Sequence, residues 1–116
     1  MEESILTSIK KLLMIDEELE QFDLDIVMAI NTVLNVLSQM GVGPAFSITG
    51  SSEIWSDYLG DGEENLEMVK TYIFMRVRMI FDPPQAGVVI EVYNNMIKEL
   101  ETRLYMLTNY ATSEEE

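Results

Sequence analysis

The sequence predicts an all-α fold, a small bundle of about four helices with a long irregular loop between the second and third. Three observations carry this. The stretch from Glu63 to Pro84 places apolar residues at Leu66, Val69, Ile73, Val77 and Ile80, three and four apart, which is one stripe of an α-helix. Two more stretches, Leu24–Met40 and Gln85–Leu107, repeat that period. Glycine and proline gather outside these stretches, where they break helices.

In chain order, Ser4 to Met14 reads as a short first helix, with Ile5, Ile9, Leu12 and Leu13 on one face. Lys10 and Lys11 lie near its C-terminal end, where cations suit the helix dipole. About three turns is marginal in isolation, so this helix must dock on the domain or on a neighbouring subunit. The acidic segment Ile15–Asp23 is a connector. Asp23 reads as the cap of the second helix, whose stripe is Ile26, Val27, Ile30, Val33, Leu34 and Leu37. Gly41 stands where a left-handed C-terminal cap is wanted.

Val42 to Gly62 is irregular. Phe46–Thr49 alternates apolar and polar residues, and Gly50-Ser51-Ser52 could turn it back onto Glu53–Trp55 as a short β-hairpin. Trp55, the single tryptophan, and Tyr58 either plug the end of the core or form part of a protein interface, where aromatics are enriched.

The third long helix carries Met68, Tyr72, Phe74, Met75, Met79 and Phe81 around its main stripe, so it should be central and covered on several sides. Asp61 and Glu64 fit a capping pair at its start, and Asp82 before Pro83 should end it. In the last helix Val89, Val92, Met96, Leu100, Leu104 and Leu107 form the expected main stripe, flanked by Val88, Tyr93 and Ile97. Residues 1–107 then make one domain and residues 108–116 an acidic tail.

The 116 residues suffice for one core that buries roughly two-thirds of the unfolded surface. No apolar run reaches the ~18 residues that span a bilayer, and the opening residues lack the pattern of a secretory signal. There is no cysteine, so no disulfide or thiolate metal site, and no histidine, the commonest general base. Twenty-one acids against seven bases give a net charge of −14, which should repel nucleic acid and anionic membranes.

No Walker loop, dinucleotide fingerprint or HExxH is present. The acids Asp57, Asp61, Glu63 and Glu64 lack the spacing of a calcium loop. No catalytic, cofactor-binding or metal-ligating residue is expected. Arg76 and Arg78 leave their helix in different directions, either to pair with local acids or to reach across a subunit boundary. The expected protein-interface residues are Phe46, Ile54, Trp55, Tyr58, Arg76, Arg78, Arg103, Tyr105 and Tyr110.

The order of SILTSIKKLLMI, QMGVGP, IWSDYL, VKTYIFMRVRMIFDPP and VVIEVYNNMIKELETRL resembles the small head–tail connector (adaptor) proteins of tailed bacteriophages. The likeness spans roughly Ser4 to Leu104. It implies a non-enzymatic virion protein, assembled in the host cytoplasm into a homo-oligomeric ring of twelve subunits below the portal protein. Such a ring extends the DNA channel and offers a platform to a downstream stopper or tail-completion protein. Genomic DNA passes through without specific binding, which suits an acidic wall. The last helix and tail are expected on the portal, and the Trp55 loop on ring neighbours or the downstream ring. Two other readings stay open: an acidic DNA mimic that inhibits a DNA-binding enzyme, and a generic helical interaction module. Mimicry wants acids spread like phosphates, whereas here many cluster at 16–20, 57–67 and 114–116.

Overall fold

The computed structural model describes residues 3–60 and 66–115, with side chains described as far as Met106. Helices occupy α1 (Ile5–Leu12), α2 (Asp23–Gln39), α3 (Trp55–Leu59), α4 (Leu66–Phe81) and α5 (Gly87–Glu115). The fold is all-α, and no strand forms among the described residues.

α4 is the central helix, packed on α1, α2 and α5. Val69, Tyr72, Ile73 and Val77 are buried along its length. Ile26, Ile30, Val33, Leu34 and Leu37 of α2 and Ile5 and Ile9 of α1 close the core on one side. α5 lies on the other side. At 1.5 Å per residue its 29 residues run about 44 Å, close to the longest extent of a 48 × 36 × 21 Å molecule.

Local chemistry fixes the helix ends. The Ser4 hydroxyl accepts from the Thr7 N–H and caps α1. α2 closes in a Schellman motif: the Gly41 N–H donates to Ser38 O and the Val42 N–H to Leu37 O, with Gly41 at φ 86° as expected. α1 ends the same way, except that its left-handed residue is Met14 at φ 66°, where glycine would be unstrained. α4 stops at Phe81, before Asp82-Pro83. The expected cap residues Asp61 and Glu64 lie outside the described residues.

The structure departs from the sequence reading in four places. Asp23 is the first residue of α2 and not its cap, because its carboxylate is taken by Lys10. The hairpin does not form. Trp55 begins the short helix α3, whose start is fixed by the Ile54 N–H donating to the Asp57 carboxylate, and the isolated β-bridge there joins Ile54 to Ser4. α5 continues past Leu107 to Glu115. Its rotation also differs: Ile97 and Leu104 are buried with Tyr93 and Leu100 half-buried, while Val89, Val92 and Met96 are exposed. α5 rests mainly on α4, so the Phe74–Tyr93 contact, 6.4 Å between ring centroids, and the Tyr72–Glu101 hydrogen bond, 2.8 Å, decide which face turns inward.

Candidate interaction surface

Three polar clamps hold the connecting segments to the helices. Lys10 is 2% exposed. Its ammonium donates to Glu17 O (3.0 Å), Leu19 O (2.8 Å) and Asp23 Oδ1 (2.7 Å), which ties the acidic connector to α1 and α2. A buried lysine needs such partners, since an unpaired charge there would be prohibitively costly. The sequence did carry a signal: Leu6, Lys10 and Leu13 share one helix face by their spacing. Lys11, beside it, stays at the surface with Glu3.

Asn31 makes the second clamp. Its side-chain amide donates to Ile48 O (2.9 Å) and accepts from the Ile48 N–H (2.7 Å), so one α2 residue satisfies both backbone groups of a loop residue. Trp55 makes the third. Its indole N–H donates to Ser8 Oγ at 3.0 Å, and the Ile5 N–H donates to Glu53 O at 2.9 Å. Lys70 lies 5.3 Å from the centre of the Trp55 ring. Glu53 closes the preceding turn by accepting from the N–H and hydroxyl of Thr49. Burial raises its carboxyl pKa, but these hydrogen bonds outweigh that and leave it below the usual value.

The expected interface residues divide accordingly. Trp55 and Tyr58 are buried and hold the loop to the bundle. Burial pushes the Tyr58 hydroxyl up to about 12. Ile54 is half-buried beside them, and Phe46 packs on Tyr58 at 5.1 Å between ring centroids. Gly43, at φ 69°, lies so close to Tyr58 that an added Cβ would stand 3.0 Å from its hydroxyl oxygen. Arg103 pairs with Glu99 at the surface (2.8 Å), and Tyr105 is exposed nearby. Tyr110 falls on α5, and its side chain lies outside the described residues.

Among the described residues, neither Arg76 nor Arg78 forms an ion pair with an acid. Each is instead set over a tyrosine of the α4–α5 seam, Arg76 at 5.9 Å from the Tyr72 ring and Arg78 at 5.5 Å from that of Tyr93. Arg78 also donates to the Tyr93 hydroxyl at 3.3 Å. The Nε atoms of both arginines are buried without a hydrogen-bond partner. Burial, followed by the hydrogen bond to Glu101, pushes the Tyr72 hydroxyl pKa well above its usual value.

Two apolar features remain on the outside. One is a groove of about 800 Å³ between α2 and the end of α4, walled by Phe22, Met28, Ile80 and Phe81 and edged by Asp25 and Asp82. Ile80 also lines a second hollow, against α5, that holds Arg76, Lys98 and Glu101. The two hollows therefore adjoin across Ile80. The other feature is a ridge on α5, formed by Val88, Val89, Val92 and Met96. Val88 is 74% exposed, unusual for a β-branched apolar residue on a helix already docked along another face. The sequence reading placed three of these four ridge residues in the core and so missed the ridge.

Among the described residues, no group of acids could hold a metal ion, and no helix is long and apolar enough to cross a membrane. No curated protein and no solved structure matches the chain. The family model of the phage connector proteins matches residues 5–111, from the first residue of α1 to near the end of α5. These are structural proteins of the virion. A match over nearly the whole chain, which takes in α1 to α4 and most of α5, shows that this protein belongs to the phage connector family.

Proposed function

We propose that the protein is the head–tail adaptor of a tailed bacteriophage, forming a ring of twelve subunits beneath the portal. The ring extends the DNA channel and seats the downstream stopper or tail-completion protein. It has no enzymatic role and assembles onto the head in the host cytoplasm. Residues 1–107 are the connector domain, and the acidic tail 108–116, with the end of α5, meets the portal.

The observation that carries this reading is the family match over residues 5–111. The exposed apolar groove and ridge support it, since a subunit that lives in an assembly keeps such faces for its neighbours. A cyclic ring needs two different faces on each subunit. The net charge of −14 supports a conduit, because an acidic wall makes no phosphate contacts that would hold DNA in transit.

The test is to mix purified protein with isolated portal or with DNA-filled, tailless heads and image the product by electron microscopy. An added ring of density beneath the portal is expected. No ring, together with tight salt-sensitive binding to a basic DNA-handling enzyme, would overturn the adaptor reading in favour of a DNA mimic. Truncation after Leu107 should abolish attachment to the portal, and unchanged attachment would remove the tail from that contact.

A further inference from the structure

We propose that the groove beside α4 is filled by a second copy of this chain, which enters it with the α5 ridge of Val88, Val89, Val92 and Met96. The inference rests on the ring reading and specifies which two faces meet.

The first support is the placement of the two features around α5. At 100° per residue, Asn94, Lys98 and Glu101 lie to one side of the buried line through Ile97 and Leu104, towards the groove. The ridge lies to the other side, about 160° away around the helix axis. The hollow that adjoins the groove at Ile80 and the ridge therefore face nearly opposite directions. Two copies cannot bury both features in a two-fold pair, where each surface patch meets its own twin. They can bury both head to tail, ridge into groove, and that arrangement repeats from copy to copy.

Charge is the second support. The chain has seven basic residues. Lys10, Lys11, Lys70 and Arg103 are paired with acids of their own chain. Arg76 and Lys98 make no ion pair within the described residues, and both line the hollow that continues the groove beyond Ile80. The same hollow holds Glu101, which accepts from the Tyr72 hydroxyl, and the far rim of the groove carries Asp25 and Asp82, so the positive charge is confined to this corner. The exposed acid Glu91 borders the Val88 end of the ridge, while Glu99 is paired with Arg103. A ridge seated in the groove brings a carboxylate towards this cationic corner. On a subunit of charge −14, that is one of few places where two copies attract electrostatically.

The chain has no cysteine, so introduced thiols report cleanly. Met28 lies in the groove and Val92 on the ridge, 61% and 48% exposed, so both accept substitution without disturbing the core. They lie on α2 and α5, and a link within one subunit leaves its mass at that of a monomer, so only links between copies give larger species. The double variant Met28→Cys/Val92→Cys and each single variant, checked for wild-type helicity by circular dichroism, are treated with a short bismaleimide on isolated portal. The double variant should give a ladder extending past dimer, and each single variant should stay monomeric. A ring on the portal by electron microscopy without that ladder would place the subunit interface elsewhere and leave the adaptor reading intact. Covalent dimers from Val92→Cys alone would show a two-fold contact and overturn the head-to-tail geometry. Neither ring nor ladder would overturn both.

Discussion

Replacing Lys10 by alanine tests the claim that a buried charge organises the entry to α2. The substitution removes three hydrogen bonds and leaves a carboxylate and two carbonyls without their donor. Removing one partner of a fully buried ion pair costs about 3–5 kcal/mol. Here the pair is asymmetric: Lys10 is 2% exposed but Asp23 is 31% exposed. Asp23 can recover water once the lysine is gone, and so can the carbonyls of the exposed residues Glu17 and Leu19. The cost should therefore fall at the low end, about 3 kcal/mol, which is roughly a 150-fold change in the folding equilibrium. For a chain of this length that lowers Tm by roughly 12 °C.

Trp55 is well placed to report it, because its indole N–H is bonded to Ser8 on the same short helix. Urea unfolding followed by tryptophan fluorescence and by circular dichroism should give a lower midpoint for Lys10→Ala. Lys11→Ala should leave the midpoint where it was, since Lys11 pairs with Glu3 in solvent. If Lys10→Ala unfolded within about 0.5 kcal/mol of wild type, the three donors would be replaceable by water and the clamp argument would fail.

Three further changes probe the other local devices. Asn31→Ala strips both backbone groups of Ile48 of their partner and should cost about 2 kcal/mol, read as a lower urea midpoint together with faster amide exchange at Ile48. Met14→Gly should stabilise by about 0.5–1 kcal/mol, because the left-handed conformation at φ 66° suits glycine and the Met14 side chain is exposed; a lower Tm would refute this. Glu53 is more acidic in the folded chain than its ordinary value of 4.5, so its stabilisation is complete above that value and is lost as pH falls through the lowered one. Glu53→Gln should therefore show a smaller drop in urea midpoint between neutral and acid solution than wild type.

The helices were legible in the sequence because their period is written in residue spacing, and the centrality of α4 because nearly every turn carries an apolar residue on more than one side. The ends of α2 were legible as far as Gly41. What spacing could not supply was rotation about a helix with two apolar faces. Val92 and Ile97 are both apolar, and the Phe74–Tyr93 contact together with the Tyr72–Glu101 hydrogen bond decides that Ile97 turns inward. The Asn31 clamp was illegible for a related reason. Asn31 meets Ile48 seventeen residues away, and no local pattern marks an amide that will meet a loop backbone. The two arginines were expected either to pair with local acids or to reach across a subunit boundary, and within the subunit they sit over tyrosines, a choice made by the packing of α5 on α4. The family could be read from the order of elements, whereas its interaction faces depend on which apolar residues remain outside.

The placement of charge makes one more expectation that separates the readings. Lys10 is buried, Lys11 and Arg103 are paired at the surface, and Lys70, Arg76 and Arg78 are drawn against aromatic rings. Apart from the corner where Lys98 and Arg76 line one hollow, the outer surface is thus even more uniformly negative than the composition suggests. Subunits of charge −14 repel one another, so a ring must be held by apolar contact against that repulsion. Raising ionic strength from 0.01 M to 0.15 M shortens the screening length from about 30 Å to about 8 Å. That weakens long-range repulsion between subunits while leaving the burial of Val88, Val92 and Met28 untouched. Self-association, followed by sedimentation velocity across that range, should therefore strengthen with salt. A DNA mimic bound to a basic enzyme behaves oppositely, since its affinity comes from attraction that salt screens. Self-association that weakened as salt was added would mean that attraction between charges, such as Arg76 and Lys98 with a neighbour's carboxylate, outweighs the repulsion, and apolar contact would not be the main force that holds the copies together.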